Sequence, residues 1–132
     1  MASIFSKIIA GEIPAYKVAE TDQFLAFLDI LPVAKGHVLC IPKQATDYIF
    51  DMSDQEYADL MRFAKKVAIG LKQVVSCKKV GVAVIGLEVP HAHVHLIPMN
   101  NIQDMNFTNP RLTFSKEEYE SLAKEISEAI SI

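Results

Sequence analysis

Four histidines carry the chemistry of this chain: His37 stands alone, and His91, His93 and His95 occupy alternate positions within five residues. Imidazole is the side chain whose ordinary pKa, about 6.5, lets it exchange a proton near neutral pH, and its neutral form is also a nucleophile and a metal ligand. Side chains alternate across a strand, so the three histidines are expected on one face, with Ala92, Val94 and Leu96 on the core face. Three readings fit that pattern. It is an ordinary solvated strand face, a metal site, or a row of acid, base and nucleophile along a phosphoryl group. Neighbours two apart lie ~6.7 Å apart at Cα and suit one zinc in pairs, but the outer two lie ~13 Å apart and close poorly around it. The phosphoryl reading is favoured, because several imidazoles can line a phosphate and its leaving group.

The elements that must hold these rings are legible around them. Ser3 is placed to cap a short helix over Ile4 to Ala10, ended by Gly11. Tyr16 to Glu20 and Gln23 to Asp29 read as a hairpin, and His37 to Ile41 as a third strand stopped by Pro42. The clearest helix starts at Ser53, where Ser53 and Glu56 have capping-box spacing. Leu60, Phe63, Ala64, Val67, Ala68, Leu71 and Val75 form its apolar stripe. Val80 to Ile85 reads as a fourth strand and His91 to Ile97 as a fifth. The segment from Pro98 to Phe114 reads as loop, and a last helix follows Ser115, with Glu118 completing a second capping box. This order predicts an α+β domain: an antiparallel sheet of about five strands with helices on one side.

The chain has 132 residues, 51% of them apolar, which suits one domain spanning 1–132. A net charge of -3 offers no basic surplus, so polymeric nucleic acid is not expected as a partner, whereas one small phosphate remains compatible. No export signal is read at the N-terminus, no membrane partner is expected, and Cys40 and Cys77 read as reduced residues of a cytoplasmic protein.

The run His91-Ala92-His93-Val94-His95-Leu96-Ile97-Pro98 resembles the H-x-H-x-H-apolar-apolar signature of the histidine triad (HIT) hydrolases and transferases. Phe5-Ser6-Lys7-Ile8-Ile9, Glu12-Ile13-Pro14, Phe27-Leu28-Asp29-Ile30, Pro32 and His37 to Lys43 are similar to that family in order and spacing. The resemblance spans about residues 3 to 98. It implies that His93 attacks the α-phosphorus of a purine nucleotide conjugate and forms a nucleotidyl-histidine that water cleaves. The other nitrogen of His93 would donate to a backbone carbonyl on its own strand. His95 would touch phosphate and leaving group, with His91 and His37 as supports.

The same resemblance assigns Asp29 to the ribose hydroxyls, and Phe5, Ile8, Phe27, Leu28 and Ile30 to the base pocket. It places phosphate at Gly86-Leu87-Glu88-Val89-Pro90, with the N–H groups of His93 or Val89 as donors. From the residues alone those five apolar side chains read as core, Gly86 as a tight turn and Asp29 as a turn residue. Leu87 and Glu88 depart from the Gln and Ser or Thr of many relatives, and Met99 stands where an Arg often follows the proline. Ser3 and Ser6 replace the C-x-x-C of zinc-binding relatives, so no metal and no cofactor are expected.

The activity implied is hydrolysis of the nucleoside phosphoramidate type. A dinucleoside polyphosphate hydrolase, or a nucleotide-binding regulatory module with little catalysis, stands beside it. A homodimer joined through the helix after Ser53 and the fourth strand is the expected assembly.

Overall fold

The computed structural model describes residues 3–132; Met1 and Ala2, which open the stretch read for an export signal, lie outside them. Ser3 accepts the N–H of Ser6 at 3.1 Å and caps α1 (Ile4–Ile9), and Gly11, with φ at +81°, turns the chain away. β1 (Lys17–Glu20) and β2 (Phe24–Leu28) form the hairpin, followed by β3 (Val38–Pro42). After α2 (Asp54–Val74) come β4 (Lys79–Ala83), β5 (Val94–Met99) and finally α3 (Lys116–Ala129). The five strands form one antiparallel sheet in the order β1-β2-β3-β5-β4.

The sheet is covered on both faces, which corrects the expectation of helices on one side. Every residue of β2 and of β3 is buried, so neither face of these strands tolerates water. On one face Ala26, Leu28, Val38, Cys40, Val94 and Leu96 pack under α2 and α3. On the other, Leu25, Phe27, Leu39 and Ile41 pack under Phe5 and Ile8 of α1. Burying each such side chain stabilises the fold by about 1.5–3 kcal/mol, enough for two or three of them to hold a six-residue helix that would not survive alone.

Two further differences concern the site. The fifth strand begins at Val94 rather than His91: β4 stops at Ala83, opposite His95, and although the register carries Pro42 opposite Ala92, proline has no N–H to give the ladder. Residues 91–93 are instead tied by His91 N–H to Val89 O and by Ala92 N–H to Thr46 O, at 2.8 and 2.7 Å. The stretch after Pro98 is not all loop: β5 runs on to Met99 opposite Lys79, and Asn101 caps a short 3-10 turn over Ile102–Met105. At the helix starts, Ser115 and Glu118 form the full capping box, whereas Ser53 caps Glu56 N–H but Glu56 returns its carboxylate to the serine hydroxyl.

Gly36 places His37 at the mouth of β3. Its φ is +87°, and a Cβ there would lie 2.8 Å from Val75 Cγ2 and 3.2 Å from Leu71 Cδ1. Gly36→Ala is therefore expected to cost about 2 kcal/mol through left-handed strain and overpacking, read as a lower urea midpoint with unchanged slope.

Candidate active site

Pro42 ends β3 with a free carbonyl, and Nε2 of His91 donates to it at 2.7 Å. A carbonyl only accepts, so His91 carries its hydrogen on Nε2 and its Nδ1 accepts from the Ser3 hydroxyl at 3.2 Å. The carbonyl of His91 in turn accepts from Nδ1 of His93 at 2.7 Å. His93 is thereby left with a lone pair on Nε2. Phe5 packs edge-on against both rings, its centroid 5.8 Å from His91 and 5.0 Å from His93.

A second chain of bonds starts at the backbone of the loop before β3. The N–H of Val33 donates to Nδ1 of His37 at 3.2 Å, so the hydrogen of this ring sits on Nε2. That Nε2–H faces Nδ1 of His95 at 2.9 Å, which makes Nδ1 the acceptor and puts the His95 hydrogen on its own Nε2. His93 and His95 lie side by side with ring centroids 4.8 Å apart.

Of the eight imidazole nitrogens, six are thus engaged inside the protein, and Nε2 of His93 and Nε2 of His95 are not. No fully enclosed side-chain nitrogen or oxygen among the described residues lacks a partner, so these two atoms keep contact with solvent. The rings are 7% and 8% exposed, against 1% for His37 and 0% for His91. The arrangement presents one lone pair and one N–H donor, side by side, on an otherwise enclosed wall.

The remaining residues singled out in the sequence divide. Phe5, Ile8 and Phe27 form the apolar floor beside the histidines, with Val89 against its edge. Leu28 does not join them: it points into the core under α2 and α3, because its neighbour Phe27 takes the histidine side and strand parity sends Leu28 to the other. Ile30 is exposed just beyond β2. Asp29 accepts the N–H of Leu31 at 2.8 Å and lies 3.6 Å from Nε2 of His37. Gly86 has φ at +69°, which a tight turn requires, and Leu87 and Glu88 after it are exposed.

Phe107 and Arg111 were not singled out. Phe107 packs on His95 with centroids 4.8 Å apart, and the Arg111 guanidinium lies 5.8 Å over the Phe107 ring. The sequence cue to Phe107 is an aromatic inside an otherwise polar, aperiodic stretch. The clefts elsewhere, one along α3 beside Lys35 and one between Phe24, Lys43 and Glu56, contain no histidine.

The HIT domain family model matches residues 10–102. The chain belongs to the HIT family. It is 40% identical over 133 residues to an adenosine 5'-monophosphoramidase of Schizosaccharomyces pombe, covering 98% of this chain and 99% of that protein. A crystal structure of a Hit-like protein from Bartonella henselae superposes with a TM-score of 0.83 at 29% identity, covering 97% of this chain and 96% of the other. A hypothetical histidine triad nucleotide-binding protein from Sulfolobus tokodaii gives 0.81 at 32% identity, over 96% and 90% of the two chains.

Zinc is found in one structural relative of this HIT chain, a histidine triad protein of Mycobacterium smegmatis. Two groups here invite the question. Asp29, His37 and His95 each offer a ligand atom within 4.8 Å of the others. A metal on Nε2 of neutral His37 would require a hydrogen on Nδ1, where the Val33 N–H already points, and would break the bond to His95. The two histidines are built into a hydrogen-bond chain from Val33, with Asp29 3.6 Å to the side. At the other end, the hydroxyls of Ser3 and Ser6 lie 3.3 Å apart beside His91. Neutral hydroxyls are a poor zinc set compared with thiolates.

Burial pushes His37 and His95 down to about 3, with the Arg111 charge and a proton on His93 acting in the same direction on both. A folded pKa below the unfolded value of about 6.5 means that the unfolded chain takes up protons first. Stability is expected to be full above about pH 6.5 and to fall by about 1 to 3 kcal/mol per pH unit on acidification toward 3. Urea midpoints from pH 8 to 4 check this; an unchanged midpoint down to pH 4 contradicts it.

Proposed function

We propose that this protein hydrolyses the bond joining the α-phosphate of a purine nucleotide to an amine leaving group, with His93 as nucleophile. The observation that carries the reading is the unengaged Nε2 of His93, whose lone pair is fixed by the bond from Nδ1 to the His91 carbonyl. The name of the Schizosaccharomyces pombe relative supports the substrate class.

In the first displacement Nε2 of His93 bonds to the α-phosphorus while the phosphorus–nitrogen bond breaks. The amine leaves with that electron pair and takes a proton from solvent. The phosphorylated ring becomes cationic, which strengthens the Nδ1–H bond to the His91 carbonyl as the charge forms. The Nε2–H of His95 donates to a phosphoryl oxygen. In the second displacement water bonds to phosphorus, releases its proton and returns the electron pair to His93.

Asp29 receives the ribose hydroxyls through its less engaged oxygen, and the base lies over Phe5, Ile8 and Phe27, with Ile30 at the rim. The Gly86 to Val89 turn supplies backbone N–H groups to the phosphate. Glu88 makes no hydrogen bond or ion pair among the described residues, so its carboxylate is free to turn from the phosphate. We further read residues 1–132 as one domain of a cytoplasmic protein; no helix of the described residues is long and apolar enough to cross a membrane.

His93→Ala is expected to lower turnover of an adenosine phosphoramidate by at least about a thousandfold, and quenching in denaturant at alkaline pH, where a phosphorus–nitrogen bond survives, should recover AMP on native protein only. Equal turnover by the two proteins rejects the reading. Faster cleavage of a dinucleoside polyphosphate than of the phosphoramidate, at equal concentration, moves the substrate class. AMP binding without turnover of either leaves a binding module.

The assembly we propose is a homodimer through β4 and α2. β4 pairs with β5 alone, and Val82 on it and Ile69 on α2 are 52% and 53% exposed, apolar surface that a second copy would cover. Sedimentation at micromolar concentration is expected to give a dimer, and Val82→Glu a monomer; a native monomer refutes the assembly.

A further inference from the structure

Between β5 and α3 the chain returns to the histidines and is stitched to the loop after β2. Arg111 donates through Nη1 to Leu31 O at 2.8 Å and through Nη2 to Phe107 O at 3.2 Å. The N–H of Leu112 donates to Pro32 O at 2.9 Å. Under this strap the Phe107 ring meets His95 edge-on at 4.8 Å and 65°, and His37 at 6.2 Å and 64°. The guanidinium carbon lies over the same ring, 5.8 Å from its centroid.

We infer that Phe107, clasped by Arg111, is a positioning residue for the reaction: it keeps the His95 ring on His37 and screens their hydrogen bond from water. The inference rests on the reading of His93 as nucleophile. Its physical content is steric and dielectric. His95 reaches the phosphate only if Nε2 faces the opening, and that rotamer is defined by Nδ1 meeting Nε2–H of His37. An apolar edge against His95 leaves the ring no second position and no competing water. In a dry setting a neutral–neutral hydrogen bond is also stronger than in water.

The charged and titratable groups around the pair are few. His93 adjoins His95 from the start of β5, Asp29 approaches His37 from the end of β2, and Arg111 lies over the strap. Arg111 and a proton on His93 oppose protonation of both rings, while the Asp29 carboxylate favours it on His95. Removing Phe107 admits water and loosens the guanidinium from the pair. Both changes let His95 take a proton closer to neutral pH, and a protonated His95 gives up its acceptor at Nδ1.

The test is Phe107→Ala, with Phe107→Leu as the variant that keeps apolar cover, assayed on an adenosine phosphoramidate with imidazole resonances followed by NMR titration. The expected result is a kcat about tenfold lower with KM within about twofold, and a His95 titration midpoint moved up toward about 6. Phe107→Leu should recover most of both. If Phe107→Ala does not fold, Arg111→Gln, which alters an exposed side chain, should shift the same two readouts in the same direction by about threefold in kcat. A kcat within twofold of native and an unmoved His95 midpoint overturn the inference. His93→Ala, run alongside, separates the failures: an inert His93→Ala with an unaffected Phe107→Ala rejects only the strap, and a fully active His93→Ala rejects the nucleophile.

Discussion

The bond from Nδ1 of His93 to the carbonyl two residues earlier is the constraint from which the rest of the site follows. An imidazole in water divides its hydrogen between two nitrogens and turns freely; here one is committed, so the other holds its lone pair in a fixed direction. Residues 91–93 stand outside the ladder: β4 stops at Ala83, opposite His95, and the N–H of Ala92 turns to Thr46 O. The Pro42 carbonyl is left to orient His91, and the His91 carbonyl to orient His93. Two carbonyls that the ladder does not use thus set the first two rings.

The two faces of the sheet divide the work. The face under α2 and α3 carries the larger core, including fully buried Leu60, Val67, Leu71 and Ile126, and anchors β3 and β5. The face under α1 is covered thinly, by a helix of six residues, and the histidines emerge beside it. A thick layer there would seal the two free nitrogens. Without cover, Leu25, Leu39 and Ile41 would be wet. A short helix, held by Phe5 and Ile8, satisfies both demands.

Much of this was legible in the residues, and what was not has particular causes. Alternation at 91, 93 and 95 gave the shared face correctly, since strand parity is local. The stripe of α2 and the caps at Ser3, Ser53 and Ser115 are local too, and all appear in the structure. Leu28, which the family pattern puts in the base pocket, faces the other side because its neighbour Phe27 takes the histidine side and parity alternates. The tautomers of His37 and His95 could not be read, because they hang on the backbone N–H of Val33, which no side-chain pattern encodes. Phe107 escaped for a related reason: its contacts lie 12 and 70 positions away along the chain, in a segment without periodicity.

Ser3 caps α1 with the same oxygen that donates its hydrogen to His91. A six-residue helix has almost no persistence of its own, so its ordering and the orientation of the first triad ring are parts of a single equilibrium. Whatever steadies the row of imidazoles from the solvent side steadies α1 in equal measure. Protection of α1 against amide exchange or a protease is therefore a report, delivered from far along the chain, on whether the free nitrogens of that row are occupied.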